Sequence, residues 1–334
     1  MAVYTEVSFD EAAALVSRVG LGTLTALQPI ASGIENTNYF ADVTQGSTQG
    51  RYVLTLFERL THEQLPFYLQ LMKHLAERGI PVPRPHGDAA GALLHTLHGK
   101  PAAVVDRLRG RHHLAPDAAH CALVGDMLAR MHLAAADFPL VQPNLRGLDW
   151  WAETVPVIEP YVDAAQAQLL SDELAFQQQL AASAAYQGLP RGAIHADLFR
   201  DNVMFEPADA AGSEPGGADR LSGFFDFYFA GVDTLAFDLG VCLNDWCIDL
   251  ASGRLDEQRA AAFVAAYDAV RPLTGAEARL MPALMRAAAL RFWISRLWDL
   301  HLPRDATLLK PHDPTHFERV LSARRESPWH YTRT

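Results

Sequence analysis

Cysteine is scarce in this chain: three stand in 334 residues, Cys121, Cys242 and Cys247, at spacings that make neither a disulfide framework nor a zinc pattern. Each falls in an apolar, helix-like context and reads as a small buried hydrophobe. Basic charge is also short, with 28 Lys and Arg against 39 Asp and Glu, a formal charge of −11. A nucleic-acid groove needs clustered Lys and Arg, so that partner is not expected. No apolar run reaches roughly 18 residues, the length a membrane-spanning helix needs, and no membrane is expected as a partner. Residues Met1 to Val7 carry neither a basic nor an apolar leader segment, so no signal peptide and a cytoplasmic location are expected. What remains, 49% hydrophobic and 20% charged, is an ordinary globular chain long enough for one large domain or two lobes.

The densest chemistry lies at 193–205. His195, Asp197 and Asn202 stand between apolar flanks, and Val203-Met204-Phe205 reads as a short buried strand. The polar residues then occupy a tight loop ahead of it. A second apolar strand, from Leu221, ends in an acid, Asp226, 29 residues past Asp197. His-x-Asp with Asn five positions on resembles the catalytic loop of protein-kinase-like phosphotransferases. There the Asp accepts the proton of the attacking hydroxyl and the Asn holds magnesium. By the same resemblance Asp226 bridges magnesium to the β- and γ-phosphates. The spacing suits that chemistry, which needs a carboxylate near the nucleophile and an oxygen ligand near the phosphates on one rigid loop. A metal-hydrolase reading of His195, Asp197 and Asp226 lacks a second His at a ligand spacing.

Around this stretch the pattern alternates early and turns helical later. Ser8 to Glu11 reads as a capping box, with a helix that Gly20 ends. Thr23 to Pro29, Asn38 to Val43 and Arg51 to Glu58 read as strands. The turn from Ser32 to Thr37 takes the place of a phosphate-covering loop, with Ser32, Gly33 and Asn36 as candidate nucleotide contacts, although it holds one glycine and no glycine-rich run. No Lys stands on the third strand, where protein kinases carry one. Thr61 to Gln64 reads as a second capping box. His98-Gly99 reads as a hairpin turn, and Val104 to Leu108 as an edge strand whose backbone, at Val105, Asp106 and Leu108, meets adenine. The expected division is a nucleotide-covering lobe at 1–103, a hinge at 104–110 and a helical lobe at 111–334. Helices are expected from Asp117, from Asp149 to Ala185, from Phe237, from Asp256 to Val270 and from Ala276 to Leu300. His132 reads as a packing histidine, and Asp238, in a first helical turn, as a carboxylate that steadies the loop. Glu206 to Arg220 reads as a surface hairpin loop.

Read together, Ser32 to Tyr39, Tyr52 to Glu58, His195 to Asn202, Asp226 to Gly231 and Arg291 to Leu297 resemble the bacterial homoserine kinases of the aminoglycoside-phosphotransferase-like superfamily. The resemblance implies an α+β, bilobal protein-kinase-like fold with an antiparallel sheet in the first lobe. It implies ATP and Mg2+ as cofactors and L-homoserine as the substrate, phosphorylated on its hydroxyl in threonine biosynthesis. Asp197 is then the catalytic base, His195 a support of the loop, and Arg200 a group that neutralises the transferring phosphoryl. Asn202 and Asp226 hold the metal. Arg291 or Arg296, with Arg286 behind them, meets the substrate carboxylate, and Asp245 its ammonium. Kinases of choline, methylthioribose or aminoglycosides, and a nucleotide-binding scaffold without catalysis, are the competing readings.

Overall fold

The computed structural model describes residues 5–30, 36–207, 219–302 and 312–333. The chain forms two compact units, 1–109 with 223–228, and 110–222 with 229–334. The first unit opens with helix α1 (Phe9–Arg18), started by the Ser8 and Glu11 capping box and followed by Gly20 at a φ of 72°. Strands β1 (Thr23–Pro29), β2 (Asn36–Gln45) and β3 (Thr48–Phe57) come next, then helix α2 (Leu65–Glu77), β4 (His95–Leu97) and β5 (Lys100–Asp106). All strand pairs are antiparallel, in the order β1-β2-β3-β5-β4. Alternate residues of β2, among them Tyr39, Ala41 and Val43, face the core, where they meet Leu15 and Val16 of α1, Leu54 and Leu56 of β3, and Val104 of β5.

Two expectations need correcting here. The segment expected as an edge strand is β5, which lies between β3 and β4, because the His98-Gly99 hairpin folds β4 back along its outer side. The second capping box is only half formed. Gln64 Oε1 accepts from the Thr61 N–H at 3.0 Å, but α2 starts at Leu65, one turn later.

The second unit is mostly helical: α3 (Ala118–Ala134), α4 (Leu148–Ile158), α5 (Ala164–Ala181), α6 (Ala184–Gln187), α7 (Leu235–Trp246), α8 (Glu257–Val270), α9 (Gly275–His301) and α10 (Thr315–Glu326). The single stretch expected from Asp149 to Ala185 is broken instead. A short 3-10 turn at Glu159–Tyr161 holds Pro160, and Asp163 caps a fresh helix. Strand β6 (Arg191–Ile194) pairs with β9 (Gly231–Thr234), while β7 (Val203–Glu206) pairs with β8 (Arg220–Phe224). The surface loop expected at Glu206 to Arg220 falls largely on 208–218, outside the described residues.

All twelve residues of α7 are buried. It packs with Trp293 and Leu290 of α9 and Phe317 of α10 in the main core. A Cβ on Gly240 would stand 2.9 Å from the Leu284 carbonyl, which shows how close α7 and α9 run. The three cysteines are buried and free, as their context implies. Gly125 of α3 is tighter still, since a Cβ there would fall 2.1 Å from the Phe263 carbonyl of α8. Gly125→Ala is therefore expected to lower stability by about 1–3 kcal/mol, the usual cost of overpacking. A melting temperature equal to the parent's would contradict that approach.

Candidate active site

The loop 195–202 runs from β6 to β7, and α7 holds it along one face. Asp238, Cys242, Asp245 and Trp246 fall at i, i+4, i+7 and i+8, one side of a helix. At the first of these, Asp238 Oδ2 accepts from the His195 N–H and Oδ1 from the Ala196 N–H, both at 2.8 Å. His132 Nε2, from α3, reaches the same carboxylate at 3.1 Å, and its Nδ1 stands 2.7 Å from the Tyr267 hydroxyl. Both His132 and Asp238 side chains are fully buried. Burial pushes the Asp238 carboxyl up, but the hydrogen bonds and charge of His132 and the backbone of His195 outweigh it and hold the group below the ordinary range. Ala196 sits at a φ of 63°, a left-handed position that costs a non-glycine residue about 1–3 kcal/mol. Its N–H on Asp238 is what keeps it there.

Further along, the Leu198 carbonyl accepts from Trp246 Nε1 at 2.8 Å and from Cys242 Sγ at 3.7 Å. Arg200 donates from its backbone N–H to Asp245 Oδ2 at 2.8 Å and from Nε to the same oxygen at 3.1 Å. Its Nη1 reaches the Leu114 carbonyl at 3.1 Å, and its Nη2 the Asp245 carbonyl. So Arg200, expected at the transferring phosphoryl, and Asp245, expected at an ammonium, are each other's partners. Burial raises the Asp245 carboxyl in spite of Arg200.

With the loop so pinned, Asp197 is half-buried, and its N–H donates to His195 Nδ1 at 3.3 Å. Asn202 Nδ2 donates to the Asp197 carbonyl at 2.8 Å, which leaves the Asn202 amide oxygen as a possible ligand. In the first unit, Asp226 follows β8 at a φ of 68°, the same left-handed region as Ala196. Among the candidate nucleotide contacts, Asn36 opens β2 opposite Phe57, Val105 lies buried in β5, and Leu108 packs where a Cβ on Gly223 would stand. Asp106 donates its N–H to the Arg84 carbonyl and has His86 Nε2 2.7 Å from its carboxylate. Ser32 and Gly33 lie outside the described residues. The missing strand Lys has a neighbour: Lys100 of β5 pairs with Glu58, just past β3, and Thr37 and Thr5 bond to the same carboxylate.

The three arginines of α9 part company. Arg286 makes a two-pronged pair with the buried Glu173 of α5 and is not available to a substrate. Arg296 stacks over Phe317 and donates to the Asp313 carbonyl. Arg291 is 3% exposed, lies 3.7 Å and 4.8 Å from the Phe292 and Phe229 ring centres, and has no partner at Nε or Nη2 among the described residues. Burial pulls it down to about 10, and the charge of Asp197 opposes that pull. His132 and Trp246 are the residues whose loop-holding roles the sequence did not disclose, since nothing local to either marks a partner on another element.

Removing the Asp238 charge should leave buried N–H groups weakly matched, at about 1–3 kcal/mol. Because the folded pKa lies below the unfolded value of about 3.9, this contribution is complete above that value and fades as pH falls below it. Urea unfolding of Asp238→Asn should show a deficit at neutral pH that narrows in acid. No deficit at neutral pH would refute the anchor.

The model of the phosphotransferase enzyme family matches residues 26–273. The homoserine kinase of Polaromonas naphthalenivorans is 64% identical over 329 residues, covering 98% of this chain and 99% of that one. The homoserine kinase of Ralstonia nicotianae is 59% identical, covering 97% and 96%. Among solved structures, the amicoumacin kinase hAmiN, in complex with AMP-PNP, Ca2+ and Ami, superposes with a TM-score of 0.67 at 16% identity, covering 95% and 93%. A choline/ethanolamine kinase family protein from Mesorhizobium loti gives 0.63 at 17%, covering 96% and 95%. The two solved structures share the α+β fold, and the sequence matches reach further: the chain belongs to the phosphotransferase enzyme family.

Proposed function

We propose that the chain is an ATP-dependent homoserine kinase that makes O-phospho-L-homoserine, a step of threonine biosynthesis, in the cytoplasm. Relatives of that name at 64% and 59% identity over nearly the whole length support the reaction. The observation that carries the substrate is Arg291. A buried guanidinium with two nitrogens unpartnered among the described residues is costly, and the substrate carboxylate is a fork-shaped partner that would complete it. The same charge disfavours choline or a polycationic antibiotic, which would bring a second cation to a buried one.

Asp197 accepts the proton of the substrate hydroxyl as the oxygen attacks phosphorus. His195 supports the loop through its Nδ1, while the Arg200 and Asp245 pair fixes the loop's far end. The nucleotide contacts proposed are Ser32, Gly33, Asn36, Val105, Asp106 and Leu108. Asn202 and Asp226 supply amide and carboxylate oxygens, the hard donors that suit magnesium. When bound, magnesium neutralises charge on the phosphates. The intact set of Asp197, Asn202 and Asp226 argues against a scaffold without catalysis.

Asp197→Asn should lower kcat by about 10²–10⁴ with ATP affinity little changed, as loss of a general base does. Near-parental turnover would remove Asp197 from the mechanism. For the substrate, ADP release should favour L-homoserine over L-serine by roughly 10–200-fold in kcat/KM, the worth of one methylene. It should favour L-homoserine over homoserinol by more, and Arg291→Ala should erase that second preference. A variant that still discriminates against homoserinol would move the carboxylate site away from Arg291, while faster turnover of choline, methylthioribose or kanamycin would overturn the substrate itself.

A further inference from the structure

Three side chains apart from the phosphotransfer loop converge on one point of the second unit. They are His113 in the segment before α3, His120 in the first turn of α3, and Asp219 just ahead of β8. Their ligand-type atoms all lie within 4.8 Å of one another. His120 Nε2 stands 3.3 Å from Asp219 Oδ2, and His113 Nε2 stands 3.7 Å from the same oxygen. Ligand atoms around a tetrahedral zinc ion stand about 3.3 Å apart, as bonds of about 2.0–2.2 Å require.

The hydrogen bonding of His120 sharpens the point. Its Nδ1 lies 2.7 Å from Asp117 Oδ1, a separation to a carboxylate that needs the ring proton on Nδ1. The Asp117 N–H contact to the same nitrogen is longer, at 3.4 Å, and secondary. With Nδ1 turned to Asp117, Nε2 faces Asp219 Oδ2, and two ligand-type atoms 3.3 Å apart need a proton or a cation between them. A metal cation there is bonded by both atoms, and the geometry of His113 beside them offers it a third ligand. Asp117 behind His120 is also the carboxylate–histidine arrangement that orients imidazoles on metals. His113 Nδ1 has no hydrogen-bond partner among the described residues, and its Nε2 faces Asp219. The two rings lie 3.8 Å apart at their centres, edge-on to Phe205, and an ion would spread them by about 1 Å.

We propose that His113, His120 and Asp219 bind a borderline divalent transition-metal ion of the zinc class, with water completing the tetrahedron. Two imidazoles select against magnesium and calcium, so this ion is separate from the one proposed for phosphoryl transfer. His120 and Asp219 are 99 residues apart, and the ion ties the start of α3 to the start of β8 as a structural clip.

The test is calorimetric titration of metal-stripped, full-length protein with zinc chloride in excess magnesium, for the parent, His113→Ala, Asp219→Asn and His62→Ala. His62 is an exposed histidine elsewhere, bonded to Thr96, and serves as the control. Asp219→Asn keeps the shape of the side chain, so a folding defect in His113→Ala leaves a second reading. The parent and His62→Ala should bind one zinc per chain. Both site variants should bind at least tenfold more weakly and lose the intense visible absorption of tetrahedral cobalt(II). No saturable zinc in the parent, or zinc affinity in both site variants equal to the parent's, would overturn the proposal.

Discussion

A single buried carboxylate sets the shape of the loop from His195 to Asn202. Asp238 is fully out of water, where a charge is tolerated only if it is well matched. It is matched by two backbone N–H groups at the end of β6 and by His132, three donors that the fold would otherwise leave buried without acceptors. The match runs both ways. The loop needs the carboxylate to hold Ala196 left-handed, and the carboxylate needs the loop to remain ionised. Cys242, Asp245 and Trp246 extend the same hold down α7, so one helix face fixes the chain from His195 to Arg200.

That rigidity suits the proposed role of the loop, because in phosphoryl transfer positioning and electrostatics do most of what a protein can do. Asp197 is half-buried on a loop held at His195, Ala196, Leu198 and Arg200, so in the proposed mechanism its carboxylate would need little reorganisation to meet a hydroxyl. Arg291 shows the converse design. Its guanidinium is buried between aromatic faces, with Nε and Nη2 unpartnered among the described residues, a state that costs stability and that the proposed substrate carboxylate would relieve. Arg286, five residues earlier, has its anion built in as Glu173, and that contrast is why the proposal puts the substrate carboxylate at Arg291.

Local signals were legible in the sequence and long-range ones were not. The Ser8 capping box, the strand Thr23–Pro29, the hairpin at His98 and the loop around Asp197 all follow from neighbours in the chain. Asp238 was legible as a helix-start carboxylate near the loop, since its position on α7 follows from the pattern. Its partner His132 lies 106 residues away, and no periodicity marks that pairing. The same holds for Arg200 with Asp245, 45 residues apart: each looked available because its charge is visible in the sequence and its counter-charge is not tied to it. The interior place of β5 depended on which side the β4 hairpin folds, a choice made by packing rather than by propensity. The pairing of His113 and His120 with Asp219 was hidden for the same reason.

Native-state hydrogen exchange of the His195 and Ala196 amides measures the anchor most directly. If Asp238 holds the loop, both amides should exchange only through global unfolding, at the free energy of the core strands and helices, and both should become faster in Asp238→Asn. Exchange of these amides in the parent at the rate of an exposed loop would contradict the account.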